Sequence, residues 1–341
     1  MLVRTILGAT AALMLTGTAH AADKPTLTVS VFGISQDVYK RDLYTPFEAK
    51  CGCTVVIEAG NASERLAKLE ANKANPVVDV TAIADFVALD AAKKGLLQPI
   101  DTGKLANFGK LYDIAKDPLG DKMAVGYTFY STSIVYRTDK VKIASWKDLF
   151  QPALKGRVAL PNIATTQAPI LLSMLDKALG GTTPDYGKAI DAIAANKGDI
   201  VTFYARGAQV PQLMEQEEIF AAVVGRFDWP SIRKVQMPIA WATPTEGMGG
   251  GMNVLAIVKG SKQVDLAHQF IDYWLSEEVQ TKISNALVDS PANKDVKLAD
   301  DKAQALTYGA DTVASLKLIK PADLLDNREK WLAGWNGKVA R

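Results

Sequence analysis

Cysteine and histidine carry much of protein chemistry, and this sequence uses both sparingly. Its cysteines stand one residue apart, in Cys51-Gly52-Cys53. Thiols so spaced could close a small ring, with Gly52 easing the turn. They are a poor zinc site, which wants four ligands, and they lack the Cys-x-x-Cys spacing of redox catalysts. In an oxidising compartment a disulfide is favoured over a metal or a redox role. The histidines are His20 and His268. His268 sits in Asp265-Leu266-Ala267-His268-Gln269-Phe270-Ile271, a helical stretch, and reads as a surface or packing residue. A histidine-based triad, a multi-histidine metal site and a His-Glu-x-x-His protease therefore lack their parts. No Walker loop is present, nor a Gly-x-Gly-x-x-Gly after a strand. The run Gly249-Gly250-Gly251 has no following lysine and leads into a strand, against a phosphate cradle. Carboxylates are plentiful, so a glycosidase pair stays open by count, but nothing in their placement singles one out. The expectation is a protein without cofactor or catalysis, with a secreted hydrolase as the enzymatic alternative.

The start of the chain sets the compartment. Arg4, an apolar run from Thr5 to Leu15 and the small-residue site Ala19-His20-Ala21 have the layout of a secretory signal peptide cleaved after Ala21. The run is short of the ~20 apolar residues of a spanning helix, and no cysteine near the site offers a lipid anchor. The expectation is a periplasmic protein, residues 22–341. Arg4 leaves with the leader, so 39 basic residues become 38 against 37 acidic. Without a basic stretch carrying interleaved aromatics, that balance gives no case for nucleic acid.

Strand and helix patterns alternate. Thr26 to Val31, Thr54 to Glu58 and Val77 to Ile83 read as buried strands. Asp37 to Lys50 reads as a helix interrupted at Tyr44-Thr45-Pro46, Ser63 to Asn72 as one capped by Ser63, and Phe86 to Lys94 as one stopped by Gly95. Ala124 to Tyr136 looks extended. A second run of alternation starts at Arg157-Val158-Ala159-Leu160, with helices over Pro169 to Leu179 and Tyr186 to Asn196. Strands follow over Ile200 to Tyr204, Ile219 to Val224 and Val254 to Val258, then helices over Val264 to Ser276 and Glu278 to Ala286. Such alternation predicts an α/β fold with a parallel sheet and ligands at the strand ends. No Gly/Ser-rich linker divides the halves, so the lobes should be joined by crossing strands. The expected division is 22–130 with 256–341 for the first lobe and 131–255 for the second.

Several segments in one order resemble the solute-binding proteins of ABC importers, of the polyamine (spermidine/putrescine) type. They are Gly95-Leu96-Leu97-Gln98-Pro99-Ile100-Asp101, Ala124-Val125-Gly126-Tyr127-Thr128-Phe129 through Ile134-Val135-Tyr136, and Trp146-Lys147-Asp148-Leu149 with Lys155-Gly156-Arg157-Val158-Ala159-Leu160-Pro161. Pro244-Thr245-Glu246-Gly247 and Ser290-Pro291-Ala292-Asn293-Lys294 complete the set. The resemblance implies a two-lobed, type II periplasmic binding fold, a Venus flytrap hinged by crossover strands. It also implies a monomer that clamps a small ligand and meets the importer's membrane subunits.

The resemblance places ligand residues too. Phe32 and Gly33 stand where the family has an aromatic-bearing loop, and Asp228 lies near a family ligand carboxylate. Asn253 stands where those binders commonly use aspartate, and Arg226 where an aromatic often sits. These departures remove one amine anchor and add a cation. Arg206 is a second cation at a strand end. Arginine grips carboxylates bidentately and aspartate holds ammonium, so the expected ligand is an ω-amino acid such as γ-aminobutyrate, with a polyamine as the alternative. Arg206 or Arg226 paired with Asp228 as a structural ion pair is the competing reading. Tyr127, Phe129, Tyr130, Tyr204 and Trp229 are expected as walls or as core, and Asp85 as a further ligand residue or a helix cap.

Overall fold

The computed structural model describes residues 24–340; the expected leader over 1–21 lies outside the described residues. From its start, β1 (Thr26–Val31) leads to α1 (Gln36–Tyr39), a π-helical turn (Lys40–Tyr44) and α2 (Thr45–Cys51). The π turn falls just before Pro46, whose ring removes an N–H from the helical ladder. Next come β2 (Thr54–Ala59), α3 (Ala62–Ala71), β3 (Val80–Ala84), α4 (Asp85–Lys93), a short β4 (Leu97–Gln98), α5 (Asp113–Lys116) and the long β5 (Val125–Arg137). Then follow β6 (Val158–Pro161), α6 (Gln167–Ala178), α7 (Gly187–Ala195), β7 (Ile200–Tyr204), α8 (Val210–Glu215), β8 (Ala221–Gly225), α9 (Trp229–Ile232) and β9 (Ile239–Trp241). The chain returns along β10 (Gly249–Val258). It closes with α10 (Val264–Trp274), α11 (Glu277–Asn285), β11 (Ser290–Pro291), α12 (Asp300–Ala303), α13 (Ala310–Ser315), β12 (Lys317–Leu318), α14 (Pro321–Asp326) and α15 (Arg328–Lys338).

The main sheet runs β2-β1-β3-β10-β5-β8-β6-β7. Its outer parts are parallel as expected, β1 with β2 and β3, and β6 with β7 and β8. The centre is not. β10 is antiparallel to β3 and β5, and β5 is antiparallel to β8. The reason is connectivity: one chain runs out along β5 and back along β10. The first part of β5 pairs with β10 and its end, Thr132 to Tyr136, pairs with β8. Two long strands thus carry the sheet from one lobe into the other.

Separate cores fit that plan. Leu27, Val29, Ile83, Phe47, Phe270 and Trp274 belong to one; Trp146, Leu160, Leu171 and Ile190 belong to another. Beyond the second group, Tyr204, Val224 and Ile232 form a smaller cluster on the other face of that lobe's sheet. The closing helix departs from the expected division at 256. Trp331 and Trp335 of α15 lie in the second core, and Trp335 meets Phe203 edge-on at 5.2 Å. α14 instead packs on α4 of the first lobe, where Lys93 and Asp326 pair at 2.9 Å.

Local details also differ from the sequence reading. α3 starts under Asn61, not Ser63: Asn61 accepts from Glu64 N at 2.9 Å and the Glu64 carboxylate answers back, a capping box. Gly249 to Gly251 lie within β10 rather than before it. A Cβ on Gly249 would meet Ile170 at 2.2 Å and one on Gly251 the Tyr130 hydroxyl at 2.3 Å, so α6 and Tyr130 occupy the side-chain space. Cys51 and Cys53 form the expected disulfide, with Gly52 at φ 64°. His268 is a buried packing residue. Its Nδ1 faces Val264 O at 2.7 Å and its Nε2 accepts from Asp101 N at 3.0 Å. Among the described residues no helix is long and apolar enough to cross a membrane, and no group of three or more His, Cys, Asp or Glu is placed to hold a metal ion.

Candidate functional site

The ends of β6, β7 and β8 in the second lobe surround a cavity of about 310 Å³. Asn162 and the Thr165–Gln167 segment follow β6, Tyr204 ends β7 with Ala205 to Gly207 after it, and Phe227 and Asp228 follow β8. Strand ends are where an α/β sheet leaves backbone and side chains free for a ligand. Arg206 is exposed at this cavity. Asp228 sits against Gly207, where a Cβ would come within 2.1 Å of its carboxylate. Burial alone pushes the Asp228 carboxyl up to about 7, since no cation holds its charge. The competing reading, a structural ion pair, is not formed: among the described residues neither Arg206 nor Arg226 pairs with Asp228.

Arg226 takes a different place. Its guanidinium lies 4.5 Å from the Trp241 ring centre and 5.8 Å from that of Trp229, and it donates to the Gln304 carbonyl. Its Nε is buried without a partner, and burial lowers its pKa to about 10. Trp229 stacks edge-on with Trp241 at 5.9 Å. Tyr204 borders the cavity, but its hydroxyl is turned inward and donates to Val223 O at 2.6 Å.

The first-lobe side is built from β1, β3, β5 and β10. Asp85 opens α4; its Oδ1 accepts from Phe86 N at 2.7 Å, and burial pushes its carboxyl up to about 7. The Asp85 role as a first-turn acceptor and a role toward ligand are compatible. Burial raises the Tyr130 hydroxyl well above its usual range, and Asp85 adds to the rise. Tyr127 lies where the β5–β10 register slips at Asn253 and Val254, and its hydroxyl bonds the Asn253 side chain. A register slip of this kind re-aims a side chain. Phe129 is turned away, fully packed in the first core against Tyr112 at 5.8 Å. Phe32 follows β1 under the Arg65 guanidinium, 4.4 Å from its ring centre, and Gly33 is exposed beyond it.

Arg65 was not among the sequence candidates. It is 4% exposed, Nη1 donates to Ala82 O at 2.7 Å, and Nε and Nη2 have no partner. Its signal was its spacing: four residues before Leu69, it shares the buried stripe of α3. Asn162, Thr165, Thr166 and Gln167 were missed for a plainer reason, since a polar turn between strand and helix carries no periodicity. Trp241 was missed because β9, only Ile239–Trp241, is too short to show a pattern.

A model of the family described as bacterial extracellular solute-binding protein matches residues 42–308. Iron uptake protein A1 of Synechocystis sp. is 24% identical, over 92% of this chain and 90% of its own. The putrescine/cadaverine-binding protein of Pseudomonas aeruginosa is 26% identical, over 84% and 85%. Among solved structures, an ABC transporter from Clostridium perfringens superposes with a TM-score of 0.83 at 32% identity, over 92% of this chain and 99% of that one. The Atu4243-GABA receptor superposes with a TM-score of 0.73 at 23% identity, over 91% and 97%.

Proposed function

Because the chain belongs to the bacterial extracellular solute-binding protein family, whose members bind solutes without transforming them, we propose that its ligand is an ω-amino acid such as γ-aminobutyrate. The observation that carries this reading is the unpaired state of Asp228 and Arg206 at one cavity. An enclosed carboxylate without a counter-ion is costly, and the exposed Arg206 beside it is free to take an acid. A zwitterion answers both: its ammonium goes to Asp228 and its carboxylate to Arg206, with charge-assisted bonds. Arg226 and the Trp241 and Trp229 rings stand behind it. Across the cleft, Phe32, Asp85, Tyr130 and the Asn253–Tyr127 pair face the ligand as the lobes meet. Only contacts better made in the closed form can shift the clamp toward closure. In this reading the protein works as a monomer in the periplasm, and importer membrane subunits receive the closed form. The second lobe is the 131–255 stretch with α15 riding on it.

A diamine is the second reading, favoured by Asp85 and Asp228, two enclosed carboxyls with no cationic partner, one on each lobe. The polyamine names among the relatives support it as a class. The arginines weigh against it, since each would face an ammonium. The hydrolase alternative falls with the family. Calorimetry of residues 22–341 against γ-aminobutyrate, putrescine and spermidine tests the choice. The zwitterion should bind at least about tenfold tighter than either polyamine, roughly one charged hydrogen bond. Tighter binding of putrescine would overturn it.

A further inference from the structure

A second cavity of about 300 Å³ lies beside the first, and Ala164, Thr165 and Thr166 wall both. Its lining is largely apolar, with Leu66 of α3, Val87 of α4, Pro169 of α6 and Leu325 of α14. Such a chamber, with a few convergent polar groups, is the usual form of a small-molecule site. Two of its polar groups come from α15. Trp331 lines the cavity at 5% exposure, and its indole N–H is buried with no hydrogen-bond partner. A buried donor left without an acceptor is unfavourable and calls for one. Arg328, three residues earlier and so on the same helix face, also lines the cavity and makes no ion pair among the described residues. α6 starts at the same wall with no side-chain cap bond and no acid in its first turn, leaving its positive end open. The one acid in the lining, Asp90, is engaged by Lys94 at 3.0 Å.

We propose that this cavity is a second binding site, for a small monocarboxylate with an apolar body, such as a short fatty or aryl-substituted acid. The carboxylate sits between Arg328 and the Trp331 N–H, and the apolar body lies among Leu66, Val87 and Pro169. The walls come from α3 and α4 of the first lobe and from the 164–169 segment of the second, so an occupant touches both halves of the clamp. By linkage, its binding and that of the transported solute alter one another by the same factor.

Isothermal calorimetry of the mature chain with 4-phenylbutanoate as the probe tests this. Saturable one-to-one binding is expected. It should weaken at least about tenfold in Arg328→Glu, on an exposed residue whose replacement spares the core, and severalfold in Trp331→Phe, which keeps an aromatic ring, though a smaller one, and removes the donor. Leu325→Trp, which fills the chamber, should abolish it. Absence of saturable binding, or equal binding to Arg328→Glu, would overturn the site. So would loss of probe binding in Arg206→Ala, because the probe would then be held in the polar cavity. A failure of γ-aminobutyrate to bind would leave these readings untouched, which separates the two proposals.

Discussion

The two walls of the cleft treat charge in opposite ways. On the first-lobe side acids are answered from within: Phe86 N donates to Asp85 at 2.7 Å, and the Tyr39 hydroxyl donates to Asp289 at 2.7 Å. Even Arg65 has the Ala82 carbonyl and the Phe32 ring. On the second-lobe side Asp228 and Arg206 face one cavity with no opposite charge bound to either. The difference teaches that the first lobe meets its acids with hydrogen bonds of its own, while the second holds its charges ready for something else. Recognition by charge should then be concentrated in the second lobe, and shape and stacking in the first.

The strongest way to break that comparison is Asp228→Ala. It should weaken γ-aminobutyrate by about 100-fold or more in calorimetry, the usual cost of removing one partner of an enclosed charge pair. A loss of less than threefold would reduce Asp228 to scaffold. Arg206→Ala should cost about tenfold for γ-aminobutyrate and little for putrescine, because only the zwitterion has a carboxylate to lose. Equal effects on both ligands would remove Arg206 from that role.

A pH series sharpens the contrast further. The Asp228 carboxyl, raised to about 7 in the free protein, must be ionised to hold an ammonium. Affinity should therefore rise severalfold from pH 6 to 7 and level off above pH 8, and a flat profile would contradict an Asp228–ammonium contact. The smallest expected effect lies on the first-lobe side. Burial pushes the Asp289 carboxyl up to about 7, so the folded protein holds a proton that the unfolded chain releases near 4. Its contribution is full below about pH 4 and is lost as pH rises through 7. Asp289→Asn should thus raise Tm by about 2–4 °C at pH 8 and change it little at pH 4. A variant that melts lower at pH 8 would show that the charge is wanted there.

Much of the architecture was legible in the residues. β-branched and apolar runs marked most of the principal strands, and the extended stretch from Ala124 foretold the long β5. The direction of the central strands was not, since antiparallel pairing of β10 depends on where the chain returns and not on its composition. Arg206 could be picked out as a cation at a strand end and Asp228 through the family resemblance, and both line one cavity. Arg65 was hidden by its neighbours, as an arginine amid the polar residues of α3 reads as a solvated face although Leu69 lies one turn on. The placement of α15 was equally hidden. Trp331 and Trp335 mark an apolar stripe four residues apart, but nothing local says which lobe receives it.

The place of β10, between β3 and β5, has a consequence for how such a chain is made. A strand of the first lobe's part of the sheet comes from residues that follow the whole second lobe, and Asn253 must find Ala84 across that distance. Contacts so far apart in sequence close slowly. A chain emerging from its N-terminus first therefore has no means to complete its opening half early.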